Sequence, residues 1–72
     1  MAHLTPAQYD ALETAIARAS RIVIVRRGTE YVIVPLRLRT HGRREIIEAV
    51  NPTTGDAVAF SIDDVDAVDV VR

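Results

Sequence analysis

The residues best suited to chemistry in this chain are its arginines. Arg37 and Arg39 alternate with Leu36 and Leu38, so they share one face of an extended segment. Arg26 and Arg27 precede a turn signal at Gly28, and Arg43 and Arg44 follow another at Gly42. A guanidinium is planar, permanently charged and carries a fork of donors that matches a carboxylate or a phosphate. Converging in one patch, these groups would hold a nucleotide-like ligand or a single-stranded nucleic acid through its phosphates. Stacking of bases needs aromatic rings, and the chain has only Tyr9, Tyr31 and Phe60. Tyr9 and Phe60 fall in apolar patterns and are expected in the core. Tyr31 is the aromatic expected beside arginines. The candidate ligand-binding set is therefore Arg37, Arg39, Arg26, Arg27, Arg43, Arg44 and Tyr31.

Other chemistry finds little support. A catalytic serine needs a base partner, and neither Ser20 nor Ser61 stands in a motif that supplies one. His3 and His41 have no spacing suited to a shared metal. Asp63, Asp64, Asp66 and Asp69 lack the alternation, glycine and closing glutamate of a calcium loop. They read instead as a charged strand edge that resists aggregation. Three glycines leave no phosphate-binding loop. No enzymatic activity, metal or cofactor is expected.

Composition sets the frame for those side chains. Seventy-two residues make one small domain, expected to span 1–72, and the absence of cysteine rules out disulfides. A core of this size contributes a net stability of only about 3–5 kcal/mol, so self-association would be a natural source of more. The net charge is only -1, but it is unevenly spread. Arg18 to Arg44 holds eight arginines and one acid, Glu30, whereas Glu45 to Arg72 holds seven acids and one arginine. The two halves would attract within a monomer or between copies. All nine basic residues are arginine; codon bias in a GC-rich genome would favour this too, and the many Ala, Val and Asp residues agree. No stretch has the order of a signal peptide, and the longest apolar run is far short of the ~20 residues of a membrane span. A cytoplasmic protein with no membrane association is expected.

The elements follow from punctuation and period. Thr5, Pro6 and Gln8 form a helix start with a capping box, and Leu4 and Tyr9 occupy the positions of a hydrophobic staple. Tyr9, Leu12, Ile16 and Ala19 share one face, which predicts a helix over 6–19. Five strands follow, over 21–27, 30–40, 43–51, 57–62 and 65–71. Gly28-Thr29 and His41-Gly42 are the expected tight turns, and Asp63-Asp64 a tight corner. In the longest strand, Val32, Val34, Leu36 and Leu38 are expected to face the core. Pro35 cannot donate to a ladder, so it marks a bulge or bend in that strand. Ile22 to Val25 is apolar throughout, and the helix is the expected cover for one of its faces. One helix and five short antiparallel strands around a bent strand suggest a mainly β fold of Sm-like or SH3-like barrel type.

Several of these residues also resemble a known family. Ala15-Ile16 ends the leading helix, Arg21-Ile22-Val23-Ile24 opens the first strand, and Val34-Pro35 with Leu38 marks the bent one. Phe60, Ile62, Asp63 and Val65 match a closing motif of the form F-R-L-D-R-I. Together, Leu12 to Val71 resembles a WYL domain, a bacterial regulatory module with an Sm-like barrel. The resemblance implies a role in transcription regulation and binding of a nucleic acid or nucleotide ligand. Glu45-Ile46-Ile47 stands where the family has its Trp-Tyr-Leu, and Ser61 and Asp64 replace the two arginines of the closing motif. In the family those arginines help bind ligand. Ring-forming Sm-like proteins that bind RNA share the same order of elements.

The function expected from the sequence is thus a non-enzymatic regulatory module. It would bind nucleic acid or a nucleotide-like ligand through an arginine-rich face and act as a homo-oligomer. The alternative is a self-association or protein-interaction domain that binds no nucleic acid.

Overall fold

The computed structural model describes residues 4–71; His3 lies outside them. Helix α1 runs Pro6–Arg18. Its start is the capping box: Gln8 N–H donates to Thr5 Oγ1 at 3.2 Å, and Thr5 N–H to Gln8 Oε1 at 2.9 Å. Its end is a left-handed turn at Ala19 (φ 52), which lets Ser20 N–H reach the Ala15 carbonyl at 2.9 Å. Leu12 and Ala15 are buried, and Tyr9 and Ile16 pack against the core beside them.

Five antiparallel strands follow: β1 Ile22–Arg26, β2 Thr29–His41, β3 Arg44–Val50, β4 Ala57–Ser61 and β5 Val65–Val70. A 3-10 turn, Ile62–Asp64, makes the corner between β4 and β5. The sheet order is β4-β3-β2-β1-β5. The thirteen residues of β2 serve two partners. Its first part pairs with β1 and its second with β3. The two edge strands, β4 and β5, do not ladder to each other, so the sheet is curled but not closed.

Both hairpin turns sit one residue away from their expected places. Arg26 pairs with Thr29, so the first turn is Arg27-Gly28, not Gly28-Thr29. Both residues have positive φ (50 and 80), the signature of the hairpin turn that matches strand twist. His41 pairs with Arg44, so the second turn is Gly42-Arg43, not His41-Gly42. Gly42, at φ 63, takes the position that needs a glycine there.

The core face of β2 also differs from expectation. Ile33 and Pro35 are buried, whereas Val32 is 46% and Leu36 52% exposed. The cause is a bulge. Pro35 pairs with Ala49 and Arg37 with Glu48, which leaves Leu36 without a partner. One extra residue shifts the alternation by one. Before the bulge Tyr31, Ile33 and Pro35 turn inward; after it Leu38 does, and Arg37 and Arg39 turn outward. The alternation therefore holds only from Arg37 onward; Leu36, the bulged residue, does not share the inward face with Leu38.

Ile22, Ile24, Ile47, Val65 and Leu12 are fully buried and form the centre of one cluster. The helix joins this cluster and lies closest to β5 and β2, not to β1, the strand it was expected to cover. Val23 and Val25, on the other face of β1, stay half-buried.

Candidate anion-binding cleft

The β1–β2 hairpin and the corner before β5 enclose an open cleft of about 390 Å³, lined by Arg26, Arg27, Thr29, Tyr31 and Asp64. Arg26 ends β1 and is half-buried. Its guanidinium carbon lies 5.0 Å from the centre of the Tyr31 ring and 5.2 Å from that of Phe60. The two rings are tilted against each other at 5.3 Å. Arg26 Nη2 donates to the Tyr31 hydroxyl at 3.1 Å. Among the described residues Arg26 makes no ion pair. Its position is thus fixed by ring faces and a neutral hydroxyl, in a cleft that Asp64 also lines.

Arg27 is held differently. Its backbone N–H donates to Asp66 Oδ2 at 3.1 Å, and its Nη2 stands 3.6 Å from Asp64 Oδ1. The Arg27 side chain is 81% exposed, so that ion pair contributes little. A left-handed backbone costs a non-glycine residue on the order of 1 kcal/mol. Asp66 is the extra residue of a second bulge, between Val25 and Arg26 on the β1–β5 ladder, and this places its carboxylate under the turn.

Arg37 and Arg39 lie elsewhere, on the outer face of β2. Both donate to Glu48 of β3: Arg37 Nε to Oε1, and Arg39 Nη1 to Oε2 at 3.1 Å. The hydrogen bond from Arg37, then that from Arg39, holds the Glu48 carboxyl below its ordinary range. Two arginines sharing one carboxylate leave a single surplus charge. Arg43 and Arg44 are exposed at the β2–β3 turn, the far end of β2 from Arg26 and Arg27. The expected convergence of all six arginines is not found, because the two turns that carry four of them are separated by the length of β2. What the structure brings together is Arg26, Arg27 and Tyr31.

Phe60, Thr29 and Asp64 join that group from outside the candidate ligand-binding set, Phe60 as an expected core residue and Asp64 as the replacement for a closing-motif arginine. Phe60 is a core residue, at 4% exposure, and its contact with Arg26 depends on the curl of the whole sheet. Glu48 had a usable signal. A turn centred on Gly42-Arg43 pairs residue 48 with residue 37, whereas one at His41-Gly42 does not. Among the described residues no group of three or more His, Asp or Glu side chains could hold a metal. Nor is any helix among them long and apolar enough to cross a membrane.

No family model matches the chain, and no curated protein matches it in sequence. Among solved structures, the fold is similar to part of proteasome accessory factor B/C (PafBC) of Arthrobacter aurescens, with a TM-score of 0.75 and 20% identity. The match covers 97% of this chain and 12% of that one, so this chain corresponds to a small part of the larger protein. At that identity what the two share is the fold: a leading helix and a curled five-stranded antiparallel sheet.

Proposed function

We propose that this chain is a non-enzymatic regulatory module of WYL or Sm-like type that binds a phosphate-bearing ligand, a nucleotide or single-stranded nucleic acid, in the Arg26–Tyr31 cleft. The carrying observation is the state of Arg26. Its guanidinium is stacked on Tyr31 and Phe60 and has no carboxylate partner among the described residues. A planar cation held in place with free donors is pre-organised for a two-point grip on phosphate, so little ordering entropy is lost on binding. Arg27 and Thr29 at the rim add donors, and the exposed Arg43 and Arg44 could engage a longer strand. The regulatory part of the reading draws on the match of Phe60, Ile62, Asp63 and Val65 to the WYL closing motif and on the fold shared with PafBC. The curl that brings β4 to β1 suits an Sm-like barrel, and a cytoplasmic location suits such a module.

The test is a titration with a mononucleotide and with single-stranded RNA and DNA, at low and moderate salt. Binding that weakens with salt is expected, since released counterions drive phosphate recognition. Absence of binding at low salt to every probe rules the reading out. In that event the alternative, a self-association domain that binds no nucleic acid, stands on the apolar outer face of β1 and β2.

A further inference from the structure

The outer face of an antiparallel sheet is normally polar where water covers it. Here it is not. Val23 pairs with Val32 across β1 and β2, and Val25 and Val34 lie on the same face. None of the four packs against the core cluster, and Val32 is 46% exposed. The helix lies on the opposite side of the sheet, against the core. Along β2 this face reads Glu30, Val32, Val34 and then, past the bulge, Arg37. It carries an acid at one end, valines in the middle and a base at the other. Among the described residues Glu30 has no ion-pair partner, and Arg37 shares its only carboxylate with Arg39.

Such a face is complementary to itself. A two-fold axis between Val32 and Val34 sets the valines of two copies together and turns the strands antiparallel. It brings Glu30 of each copy toward the partner's Arg37, and the two contacts are equivalent by symmetry. We infer that a second copy of this chain packs on the outer face of β1 and β2, with valines at the centre and two Glu30–Arg37 contacts at the ends. This goes beyond ligand binding and does not depend on it, because the cleft at Arg26 opens at the hairpin end and not on this face. A partner with an unrelated surface would not need opposite charges at the two ends of one strand. A copy of the same strand turned by half a revolution does.

The experiment is mass measurement by light scattering and sedimentation across a dilution series, with no ligand present. The wild-type chain is expected to be dimeric at the highest concentrations and to dissociate on dilution. Val32→Glu buries a charge at the centre and is expected to weaken the dimer at least about tenfold. Glu30→Arg alone and Arg37→Glu alone should each weaken it, and the double exchange should restore it, because the pair is only reversed. A monomer at every concentration overturns the inference. So does a dimer that Val32→Glu leaves intact, or a double exchange no tighter than the single changes. If Val32→Glu fails to fold by circular dichroism, the charge exchange alone decides.

Discussion

The guanidinium carbon of Arg26, on β1, lies 5.2 Å from the ring centre of Phe60, on β4. Two strands separate β1 from β4 in the sheet. In a flat sheet, three steps of about 4.8 Å would put them roughly 14 Å apart. The contact therefore reports the curl of the sheet, and the bulge at Leu36 beside Pro35 is where β2 bends to permit it. The same curl that closes the core sets a cation against two rings at the mouth of a cleft.

The bulge makes a clear prediction about β2. Leu36→Lys should change stability by no more than about 0.5 kcal/mol, because the side chain is already half exposed and the residue has no ladder partner. Ile33→Ala should cost about 2–4 kcal/mol, because Ile33 is buried at 2% exposure. Urea denaturation of both variants checks the register. A severe loss in Leu36→Lys with a mild one in Ile33→Ala would place the opposite face inward.

Much of this fold is legible in the residues themselves. Thr5-Pro6 with Gln8 announces the helix start, and Ala57–Ser61 and Val65–Val70 are bounded by turn residues. The inward face of β2 is not legible. A bulge is a property of the pairing between two strands, and the alternation of Leu36 to Arg39 carries no sign of where it stops. The turn at Arg27-Gly28 was hidden for a related reason: arginine seldom takes a left-handed conformation, so Gly28-Thr29 looks the better turn. At the site, arginine and tyrosine identities pointed to Arg26, Arg27 and Tyr31. The pairing of Arg37 and Arg39 with Glu48 depended on a register that a one-residue turn shift conceals.

Two left-handed residues invite replacement. Ala19→Gly should stabilise the chain by about 0.5–1 kcal/mol, since glycine takes the helix-ending conformation without steric cost. Arg27→Asn should do the same by a similar amount, because asparagine before glycine suits this hairpin turn. A chain made more stable but weaker in ligand binding by Arg27→Asn would identify Arg27 as kept for binding. Lower stability in chemical denaturation would show instead that its side-chain tie to Asp64 outweighs the strain, since the backbone N–H that donates to Asp66 is kept.

Glu48 gives a pH dependence with a definite sign. Its folded-state pKa is lowered, so its contribution is present above the ordinary carboxylate value and is lost as pH falls through the folded value. The melting temperatures of wild type and Glu48→Gln should therefore differ at neutral pH and converge in acid. Curves that stay parallel to the lowest pH would contradict the pairing. The variant also frees Arg37 and Arg39, and a steeper salt dependence of nucleic-acid binding is expected if these residues meet phosphate.

Tyr9 supplies the opposite sign. Burial, and then a hydrogen bond from its hydroxyl to Glu45 Oε1 at 3.1 Å, raise its pKa above the ordinary 10.0. The neutral phenol is favoured in the folded chain, so this stability is fully present below pH 10 and is lost as pH rises through the raised value. Alkaline melts of wild type should fall faster than those of Tyr9→Phe. Equal slopes would show that the hydroxyl is not engaged.

The proposed role of Arg26 is that of a pre-organised cation for a phosphate-bearing ligand. Its most direct test is the affinity of wild type, Arg26→Lys and Arg26→Gln for a labelled single-stranded oligonucleotide and a mononucleotide at low salt, with folding checked by circular dichroism. Arg26→Gln should weaken binding at least about tenfold, and Arg26→Lys should recover only part of it, because lysine keeps the charge but loses the planar fork. Wild-type affinity in a folded Arg26→Gln variant would contradict the claim.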